Sequence, residues 1–373
     1  MRVAFDRCNL GNRSGVQTAM KSDSYPHHML REIHEEPEAA SDTLKSIMKQ
    51  SGGLRSFLSR GKYQMIYTTG SGTSYHAGLA GQYAIGTLTK RTISSISASE
   101  FRRWIPMLAR EFLLLAFSQS GESVDALDAV RAALDRDARI LAITNTPKSS
   151  LSKLAGYVLL TRAGNELAVT ATKTFISQLA AAYLLSLELG TRSSEVEQRR
   201  TWLLDLPDLI EKTIKLNAKP TEQLAETHKD KSFFFILGSG PNYVTALEGA
   251  LKLKEACNVF AEGFATREFL HGPVQLVNER TPIVLIAPPY ESQGESIGLI
   301  EDLRRFGAPL IAVSEEKGEI GKACETLLRV PKAVPEMFSP ILNVVPLQLL
   351  AYYLSVSRGL NPDKPEKLSK VVR

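Results

Sequence analysis

Short apolar runs alternate along this chain with longer segments in which apolar residues recur at helical spacing. The runs LLLAF, ILAIT and IVLIA begin at Leu113, Ile140 and Ile283. They are continuous rather than alternately apolar and polar, which is typical of strands that helices cover on both faces. Strands that alternate with helices predict βαβ units and parallel sheets.

This pattern occurs twice. The segments YTTGSGTSYHAG from Tyr67 and FILGSGPNYVTA from Phe235 align at an offset of 168 residues, and the later strands align at an offset of 170. A register that persists through five successive segments indicates an internal repeat. The sequence therefore predicts an α/β fold with two tandem doubly wound domains, each a parallel sheet flanked by helices.

The repeat also predicts the domain boundaries. We expect a polar leader over 1–28, an N-terminal helix and the first domain over 29–195, a helical connector over 196–220, the second domain over 221–360 and a C-terminal tail over 361–373. The connector helix should end near Pro220, and the N-terminal helix should be interrupted around Pro37, because proline lacks the N–H that a helix interior needs.

Composition and charge exclude several classes of protein. Hydrophobic residues make up 43% of the 373 residues, which is enough for a large core. The formal net charge is +5, but acidic and basic residues are interleaved and no aromatic residues alternate with the basic ones, so we expect no nucleic-acid partner. No apolar run approaches 18 residues and the start lacks a signal-peptide core, so we expect no membrane partner.

The cysteines and histidines indicate neither disulfides nor a metal. Cys8, Cys257 and Cys324 show no CxxC spacing, which argues for a reducing, cytoplasmic location. No histidine pair has HExxH spacing, so no metal is expected, and no cofactor is expected either.

Two loops rich in hydroxyl groups follow predicted strands of the first repeat. TTGSGTS from Thr68 and FSQSGES from Phe117 each end a strand and open a helix. Ligands bind beyond the carboxyl ends of parallel strands, and a helix N-terminus with hydroxyl donors suits an anion. The alternative is that the serines only cap the helix. Two such loops in one repeat favour a small phosphorylated ligand, although neither fits the Walker or the dinucleotide pattern.

Longer motifs carry a resemblance to a known family. GSGTSYHAG, FSQSGES and AGNELAVTATKTF in the first repeat resemble the sugar isomerase (SIS) domain, and ALEGALKLKEACNVFAEGF, EFLHGPVQLV and NPDKPEKLSK complete the pattern. Within that family, the chain after about residue 28 is similar to the isomerase half of glutamine:fructose-6-phosphate amidotransferases (glucosamine-6-phosphate synthases) and to the related glucosamine-6-phosphate deaminases. The resemblance implies two SIS domains, a small-molecule phosphosugar as substrate and a homodimer.

The resemblance also implies which residues bind the substrate. The phosphate-binding residues would be Ser74, Ser118, Gln119, Ser120 and Ser123. The sugar-binding residues would be Gly72, Thr73, Val169 and Ala171. The physical interpretation of FSQSGES agrees with the first set.

Three residues match catalytic positions of the family. Glu255 in KLKEA matches a carboxylate that moves a proton between C1 and C2, and apolar neighbours would raise its pKa. His271 in FLHGP matches a ring-opening histidine, which the family donates across the interface to a neighbouring subunit. Lys370 in KLSKVV matches a Schiff-base lysine, which needs a desolvated or electropositive setting to lose its proton.

Each of these three residues also has an ordinary structural interpretation. Glu255 belongs to the alternating charges of EGALKLKE, which solvent or ion pairs usually satisfy. His271 follows the usual pattern of a structural loop histidine, and Lys370 lies in a terminal segment of the kind that is usually loose.

Two departures from the family pattern bear on the direction of the reaction. The synthase pattern V-A-S-T-K is VTATK here, with Ala171 in place of the serine, as in deaminase-type relatives, whereas REIHEEP and SQSGES are more like the synthases. The glutaminase domain begins with a cysteine, but position 2 is Arg2, so we expect free ammonia to enter or leave. The favoured function is conversion of glucosamine-6-phosphate to fructose-6-phosphate and ammonia.

Three alternatives stay open. One is ammonia-dependent synthesis of glucosamine-6-phosphate, and another is aldose–ketose isomerisation of a different phosphosugar. The third is a non-catalytic sugar-phosphate sensor, which would be free to lose Glu255, His271 and Lys370 although this chain keeps all three.

Overall fold

The computed structural model describes residues 25–371 except 62, 64, 109, 191–192, 290–292, 316–317 and 332–334. Most of the predicted polar leader, residues 1–24, therefore lies outside the described residues.

Two parallel sheets of five strands each form the framework. The first contains β1 (Ile66–Gly70), β2 (Ile93–Ser97), β3 (Leu113–Phe117), β4 (Arg139–Thr144) and β5 (Tyr157–Leu160), in the order β2-β1-β3-β4-β5. The second contains β6 (Phe233–Gly238), β7 (Phe260–Phe264), β8 (Ile283–Ile286), β9 (Leu310–Ser314) and β10 (Thr326–Arg329), in the order β10-β9-β8-β6-β7. The two orders are equivalent, which confirms the predicted fold of two tandem α/β units.

Helices flank both sheets. Those before and within the first unit are α1 (His28–His34), α2 (Glu36–Ser59), α3 (Thr73–Thr89), α4 (Ala98–Trp104), α5 (Val124–Leu134), α6 (Ser150–Leu154) and α7 (Lys173–Leu189). The connector contains α8 (Ser194–Leu204) and α9 (Leu206–His228). The second unit contains α10 (Asn242–Cys257), α11 (Gln293–Arg305), α12 (Glu319–Ala323), α13 (Pro340–Asn343) and α14 (Val345–Ser357).

Strand β3 shows why continuous apolar runs became strands here. All five of its side chains are buried. Leu113 and Leu115 enter a large core that extends to the second sheet, whereas Leu114 and Ala116 enter a separate core under α4 and α5. Because successive strand residues point to opposite faces, a sheet covered on both sides needs apolar residues at every position.

The connector differs from the prediction at its C-terminal end. Helix α9 continues through Pro220 to His228, so the predicted end near Pro220 is wrong. The apolar face that includes Ile214 packs against α14, and this packing outweighs the hydrogen bond that proline cannot donate. The N-terminal helix is interrupted at Glu35, beside Pro37, as expected.

One described segment, Pro340–Ser357, has the length and hydropathy of a membrane-spanning helix. It comprises α13 and α14, and 83% of it is buried inside the fold against α9 and α10. This burial is typical of a core helix.

Candidate active site

The predicted binding residues lie at the carboxyl edge of the first sheet. The chain runs from β1 outward to β2 on one side, and from β3 through β4 to β5 on the other. The strand order therefore reverses between β1 and β3, and a ligand crevice forms at such a point. The loops that flank it are TTGSGTS and FSQSGES.

The FSQSGES loop has a tightly fixed backbone. Ser118 Oγ accepts a hydrogen bond from Gly121 N at 3.1 Å, and Ser120 Oγ accepts one from Glu122 N at 3.1 Å. Gly121 has a φ of 66°, and a Cβ at this position would lie 2.2 Å from Ser149 Oγ. Only glycine fits both constraints.

Hydrogen bonds from neighbouring strand ends hold the rest of this loop. The Gln119 carbonyl accepts from Asn145 N at 3.0 Å and from Thr144 Oγ1 at 3.2 Å. Ser123 precedes α5, but its side chain makes no capping hydrogen bond. Its hydroxyl is thus available to a ligand at the N-terminus of α5, where the helix dipole favours an anion.

The loop after β1 connects the first unit to the second. Gly72, with a φ of 53°, precedes α3, and Thr73 Oγ1 donates to Glu248 Oε1 at 2.9 Å. Lys252 Nζ donates to the same hydroxyl at 3.0 Å. Ser74 Oγ accepts from the side-chain amide of Gln178 at 3.0 Å. Residues of α10 therefore reach the predicted sugar-binding loop.

A buried cluster of charges lies on one face of α10. Lys252 Nζ is 3.2 Å from Glu248 Oε1 and 2.7 Å from Glu255 Oε2. The Lys252 and Glu248 side chains are fully buried, while Glu255 is 22% exposed. His76 Nδ1 approaches Glu248 Oε2 at 2.6 Å. The structure thus places an ammonium group beside Glu255. The prediction that apolar residues surround this carboxylate is therefore wrong.

The cluster fixes the charges of its members. Burial alone would raise the pKa of Glu248, but Lys252 and His76 outweigh it and lower that pKa to about 2. Burial alone would lower the pKa of Lys252, but Glu248 and Glu255 outweigh it and raise that pKa above its ordinary value. Lys252 therefore stays an ammonium group between two carboxylates.

Lys370 is anchored rather than loose. Its Nζ donates to Glu166 Oε2 at 2.6 Å and to the Ala168 carbonyl at 2.6 Å. The fully buried Glu166 carboxylate also accepts from Thr172 N at 2.9 Å and from Thr174 Oγ1 at 2.7 Å. The prediction of a desolvated or electropositive environment for Lys370 is wrong, because its side chain is 26% exposed and faces a carboxylate.

Glu166 is ionised in this pair. Burial alone would raise its pKa, but the nearby Lys370 ammonium and the hydrogen bonds from Thr174 and Thr172 outweigh burial and lower the pKa. The pair therefore places the Lys370 amine directly beside an ionised carboxylate.

Asp363 attaches the C-terminal tail to the start of the fold. Its carboxylate accepts from His28 N at 2.9 Å and from Met29 N at 2.8 Å, at the N-terminus of α1. Its carbonyl accepts from Val169 N at 3.0 Å. One tail residue thus joins α1 to the segment that carries Glu166.

Glu32 of α1 holds the same segment from the other side. Its fully buried carboxylate accepts from Leu167 N and Ala168 N. Burial raises the pKa of Glu32 to about 7, against the lowering effect of the hydrogen bond from Leu167. Helix α1, the tail and residues 166–169 therefore form one connected unit.

Asn145 links this connected unit to the FSQSGES loop. Its backbone N–H bonds the Gln119 carbonyl, its Nδ2 donates to the Gly164 carbonyl at 2.7 Å, and its Oδ1 accepts from Ala163 N at 2.8 Å. The anion loop and the Lys370–Glu166 pair are thus held in a fixed relation.

His271 lies apart from these groups. It follows the 3₁₀ turn Glu268–Leu270 and is exposed, and its backbone N–H donates to the Glu268 carbonyl at 3.0 Å. No hydrogen bond or ion pair joins its ring to any of the described residues. Beside it, Leu270 and Leu276 are 41% and 57% exposed.

The sequence interpretation missed several residues of this site: Glu32, Asn145, Glu166, Glu248, Lys252 and Asp363. Glu248, Lys252 and Glu255 follow one another at the i, i+4 and i+7 positions of one helix face, and this spacing was a usable signal. Glu166 and Lys370 are 204 residues apart, and no local pattern pairs them.

Among the residues that the structure describes, no group of three His, Cys, Asp or Glu side chains has metal-binding geometry. The groups available for chemistry are a loop of hydroxyl side chains at a helix N-terminus, an amine beside a carboxylate, and a carboxylate beside a buried ammonium group.

Comparisons with known proteins agree with this architecture. The SIS domain family matches residues 62–187 and 229–358, which contain the two sheets. Glutamine–fructose-6-phosphate aminotransferase (isomerizing) of Clostridium tetani is 37% identical over 366 residues, covering 95% of this chain. The chain spans 60% of the length of that relative.

Two solved structures are similar over nearly their whole length. The C-terminal domain of glucosamine-fructose-6-phosphate aminotransferase from Francisella tularensis has a TM-score of 0.86 and 30% identity, covering 92% of this chain and 99% of that one. Glucosamine-6-phosphate deaminase from Thermotoga maritima has a TM-score of 0.76 and 25% identity, with the same coverage of both chains.

Proposed function

The chain belongs to the SIS domain family, and from this membership we propose that it converts glucosamine-6-phosphate to fructose-6-phosphate and ammonia. The observation that carries the proposal is that three groups adjoin the carboxyl ends of strands in the first sheet: the FSQSGES loop after β3, the Lys370–Glu166 pair beyond β5, and the Glu255–Lys252 pair, whose Lys252 bonds Thr73 after β1. The similarity to an aminotransferase domain and to a deaminase supports the same substrate class.

The phosphate group would bind at FSQSGES. The hydroxyls of Ser118, Ser120 and Ser123, the side chain of Gln119 and the N-terminus of α5 together favour an anion. Ser74, after β1, lies on the opposite side of the strand-order reversal. The sugar would then extend past Gly72, Thr73, Val169 and Ala171 towards Lys370.

Glu255 would move the proton between C2 and C1 of the open sugar. This transfer converts the 2-amino aldehyde into a ketose imine, C2=NH, without change in overall oxidation state. The Lys252 ammonium beside Glu255 would keep this carboxylate oriented. It would also offset the negative charge of Glu255 whenever the transferred proton is on the sugar.

Lys370 would then exchange with the nitrogen. The ammonium passes its proton to the imine nitrogen, Glu166 holds the resulting amine in place from 2.6 Å, and the amine attacks C2. Ammonia leaves as the lysine Schiff base forms, and water hydrolyses the Schiff base to the C2 ketone and the lysine amine. The sum is glucosamine-6-phosphate plus water giving fructose-6-phosphate plus ammonia.

His271 would open the sugar ring in a neighbouring subunit. Its exposed ring and the exposed Leu270 and Leu276 beside it support a surface that a second copy of the chain covers. We therefore propose a homodimer. The described thiols Cys257 and Cys324 are free, which is compatible with the reducing cytoplasm.

The deamination direction rests on Ala171, where the synthase pattern has a serine hydroxyl. The second candidate is synthesis of glucosamine-6-phosphate from fructose-6-phosphate and ammonia, which is favoured by the 37% identity to an aminotransferase. The two directions share every step described above.

Ammonia release from glucosamine-6-phosphate is the direct test. We expect release by the full chain, no release from unphosphorylated glucosamine, and loss of release in Lys370→Ala but not in Lys367→Ala, an exposed lysine of the same tail. Amino sugar formed from fructose-6-phosphate and ammonium, with no release in the forward assay, would favour the second candidate. No reaction in either direction would refute both.

A further inference from the structure

The proposed function leaves one buried carboxyl group without a role. Glu36, the first residue of α2, is fully buried. Neither of its carboxyl oxygens has a hydrogen-bond partner of acceptable geometry among the described residues. A buried carboxyl group without partners is costly, and such groups mark functional sites more often than others.

The surroundings of Glu36 lead directly to the Lys370–Glu166 pair. Gln348 lies beside Glu36, and its Nε2 donates to the Thr172 carbonyl at 3.4 Å. The backbone N–H of Thr172 in turn donates to Glu166 Oε1 at 2.9 Å. Glu36, Gln348 and Thr172 thus form a cluster, and Thr172 joins this cluster to the Glu166 carboxylate that faces Lys370.

The other polar atoms of the cluster show which form of Glu36 fits. Gln348 Oε1 and Thr172 Oγ1 are also buried without a hydrogen-bond partner among the described residues. An ionised Glu36 only accepts, so it can do nothing for Gln348 Oε1, which is itself an acceptor without a partner. A protonated Glu36 adds an O–H donor beside Gln348, whose own amide N–H groups face the Thr172 carbonyl and Glu36.

The charges around Glu36 favour the same form. Burial, followed by the negative charge of Glu166, raises the pKa of Glu36 well above its ordinary value, against the lowering effect of Gln348. The charged groups around Glu166 and the start of α2 are Glu32 and Glu35, Lys173 of α7 and Lys370 of the tail. Both ammonium groups are already paired with other carboxylates, Lys173 with Glu35 at 2.6 Å and Lys370 with Glu166 at 2.6 Å.

We propose that Glu36 is a neutral carboxylic acid whose O–H donates to Gln348 Oε1, and that it is a positioning residue for the Lys370–Glu166 pair. This inference rests on the proposed function. A neutral Glu36 fixes Gln348, Gln348 holds the Thr172 carbonyl, and the Thr172 N–H holds Glu166. It also leaves a single negative charge facing Lys370, whereas a second carboxylate would hold the proton on the lysine and oppose its attack on the substrate.

Borohydride trapping of fructose-6-phosphate on the full chain tests this role through its rate and its pH profile. Glu36→Gln keeps a neutral side chain of the same shape with a hydrogen-bond donor, so the rate and the pH midpoint should match the wild type. Glu36→Leu removes every polar group of this side chain and should slow trapping about tenfold, because Gln348, which holds the Thr172 carbonyl, loses its partner. Glu38→Gln makes the same chemical change on the exposed side of α2 and should have no effect.

Two results would overturn the inference. A Glu36→Gln variant whose pH midpoint falls by about one unit would show that the wild-type residue is charged, because removal of that charge makes Lys370 easier to deprotonate. A Glu36→Leu variant that is trapped at the wild-type rate would show that Glu36 positions nothing. If Glu36→Leu does not fold, Gln348→Leu removes the side chain that links Glu36 to Thr172, and its trapping should be slowed similarly; a wild-type rate there overturns the inference as well.

Failure of the proposed function is distinguishable from failure of this inference. If the wild-type chain itself gives no trapped adduct, the proposed function fails and the inference falls with it. If the wild type is trapped and a variant gives either contradictory result, only the role of Glu36 is refuted.

Discussion

At the scale of single residues, the candidate site depends on residues whose backbone or side-chain conformation is fixed by the surrounding fold. Gly121 is the clearest case, because its φ of 66° and its approach to Ser149 Oγ both exclude a Cβ. Lys370 and Glu166 show the same dependence through hydrogen bonds, since each has partners contributed by distant parts of the chain. Motif resemblance located Gly121 and Lys370 in the sequence, but it could not predict the Lys370–Glu166 contact.

Gly121→Ala should weaken binding of the phosphate and lower stability. The added methyl group meets Ser149 Oγ in a backbone conformation that alanine rarely adopts, which costs about 1–3 kcal/mol of unfolding free energy. We expect a raised KM for glucosamine-6-phosphate together with a lower midpoint of urea unfolding. Gly52→Ala is the matched control, because nothing lies within 4 Å of a Cβ there and the site is in helix α2. An unchanged KM in Gly121→Ala would contradict the phosphate-binding role of this loop.

At the scale of secondary structure, strands were easier to predict than helix ends. Strands covered on both faces need apolar residues throughout, so LLLAF and its equivalents are visible in the sequence. The end of α9 was mispredicted because tertiary packing of its apolar face outweighs the effect of Pro220. The contacts of the tail were missed for a similar reason: Asp363 and Lys370 are fixed by contacts with α1 and residues 166–169, and these contacts have no local sequence signal.

Asp363→Ala should release the tail. Its carboxylate satisfies two N–H groups at the start of α1, and loss of such a cap costs about 1 kcal/mol. We expect faster proteolytic cleavage of the tail and slower trapping of fructose-6-phosphate, because Lys370 is no longer held on Glu166. Glu366→Ala, an exposed acidic residue three positions further on, is the control. A tail that stays protected and reacts at the wild-type rate in Asp363→Ala would contradict the anchoring role.

At the scale of the whole molecule, residues from both units together form the candidate site. Glu248 and Lys252 of the second unit bond to Thr73 of the first, and one large core contains residues of both sheets. The internal repeat made the architecture predictable from the sequence, because every segment appears twice in the same order. The repeat did not predict which unit contributes which residues to the candidate site, because the contacts between the two units are not repeated.

The stability of the whole fold should depend on pH through Glu32. Its pKa is about 7 in the folded protein and 4.5 in the unfolded chain, so between these values the folded protein holds a proton that the unfolded chain has released. Raising the pH through this window therefore removes stability, by at most about 1.4 kcal/mol per pH unit. Urea unfolding of the wild type and of Glu32→Gln from pH 4 to 8 measures this directly.

The expected difference has a definite sign. The unfolding free energy of the wild type should fall relative to Glu32→Gln as the pH rises from about 4.5 to 7, and the difference should then level off. Glu38→Gln, which changes an exposed carboxyl of the neighbouring helix, should track the wild type. A difference that stays constant over this range, or grows in the wild type's favour, would contradict the assignment of Glu32 as a buried acid.

The central claim is that Lys370 forms a Schiff base with the ketose phosphate. The most direct test is to incubate the full chain with fructose-6-phosphate, reduce it with borohydride and map the modified peptide by mass spectrometry. We predict one hexose phosphate on the peptide that contains Lys370, present in Lys367→Ala and absent in Lys370→Ala. An adduct that persists in Lys370→Ala, or the lack of any adduct on the wild-type chain, would contradict the claim.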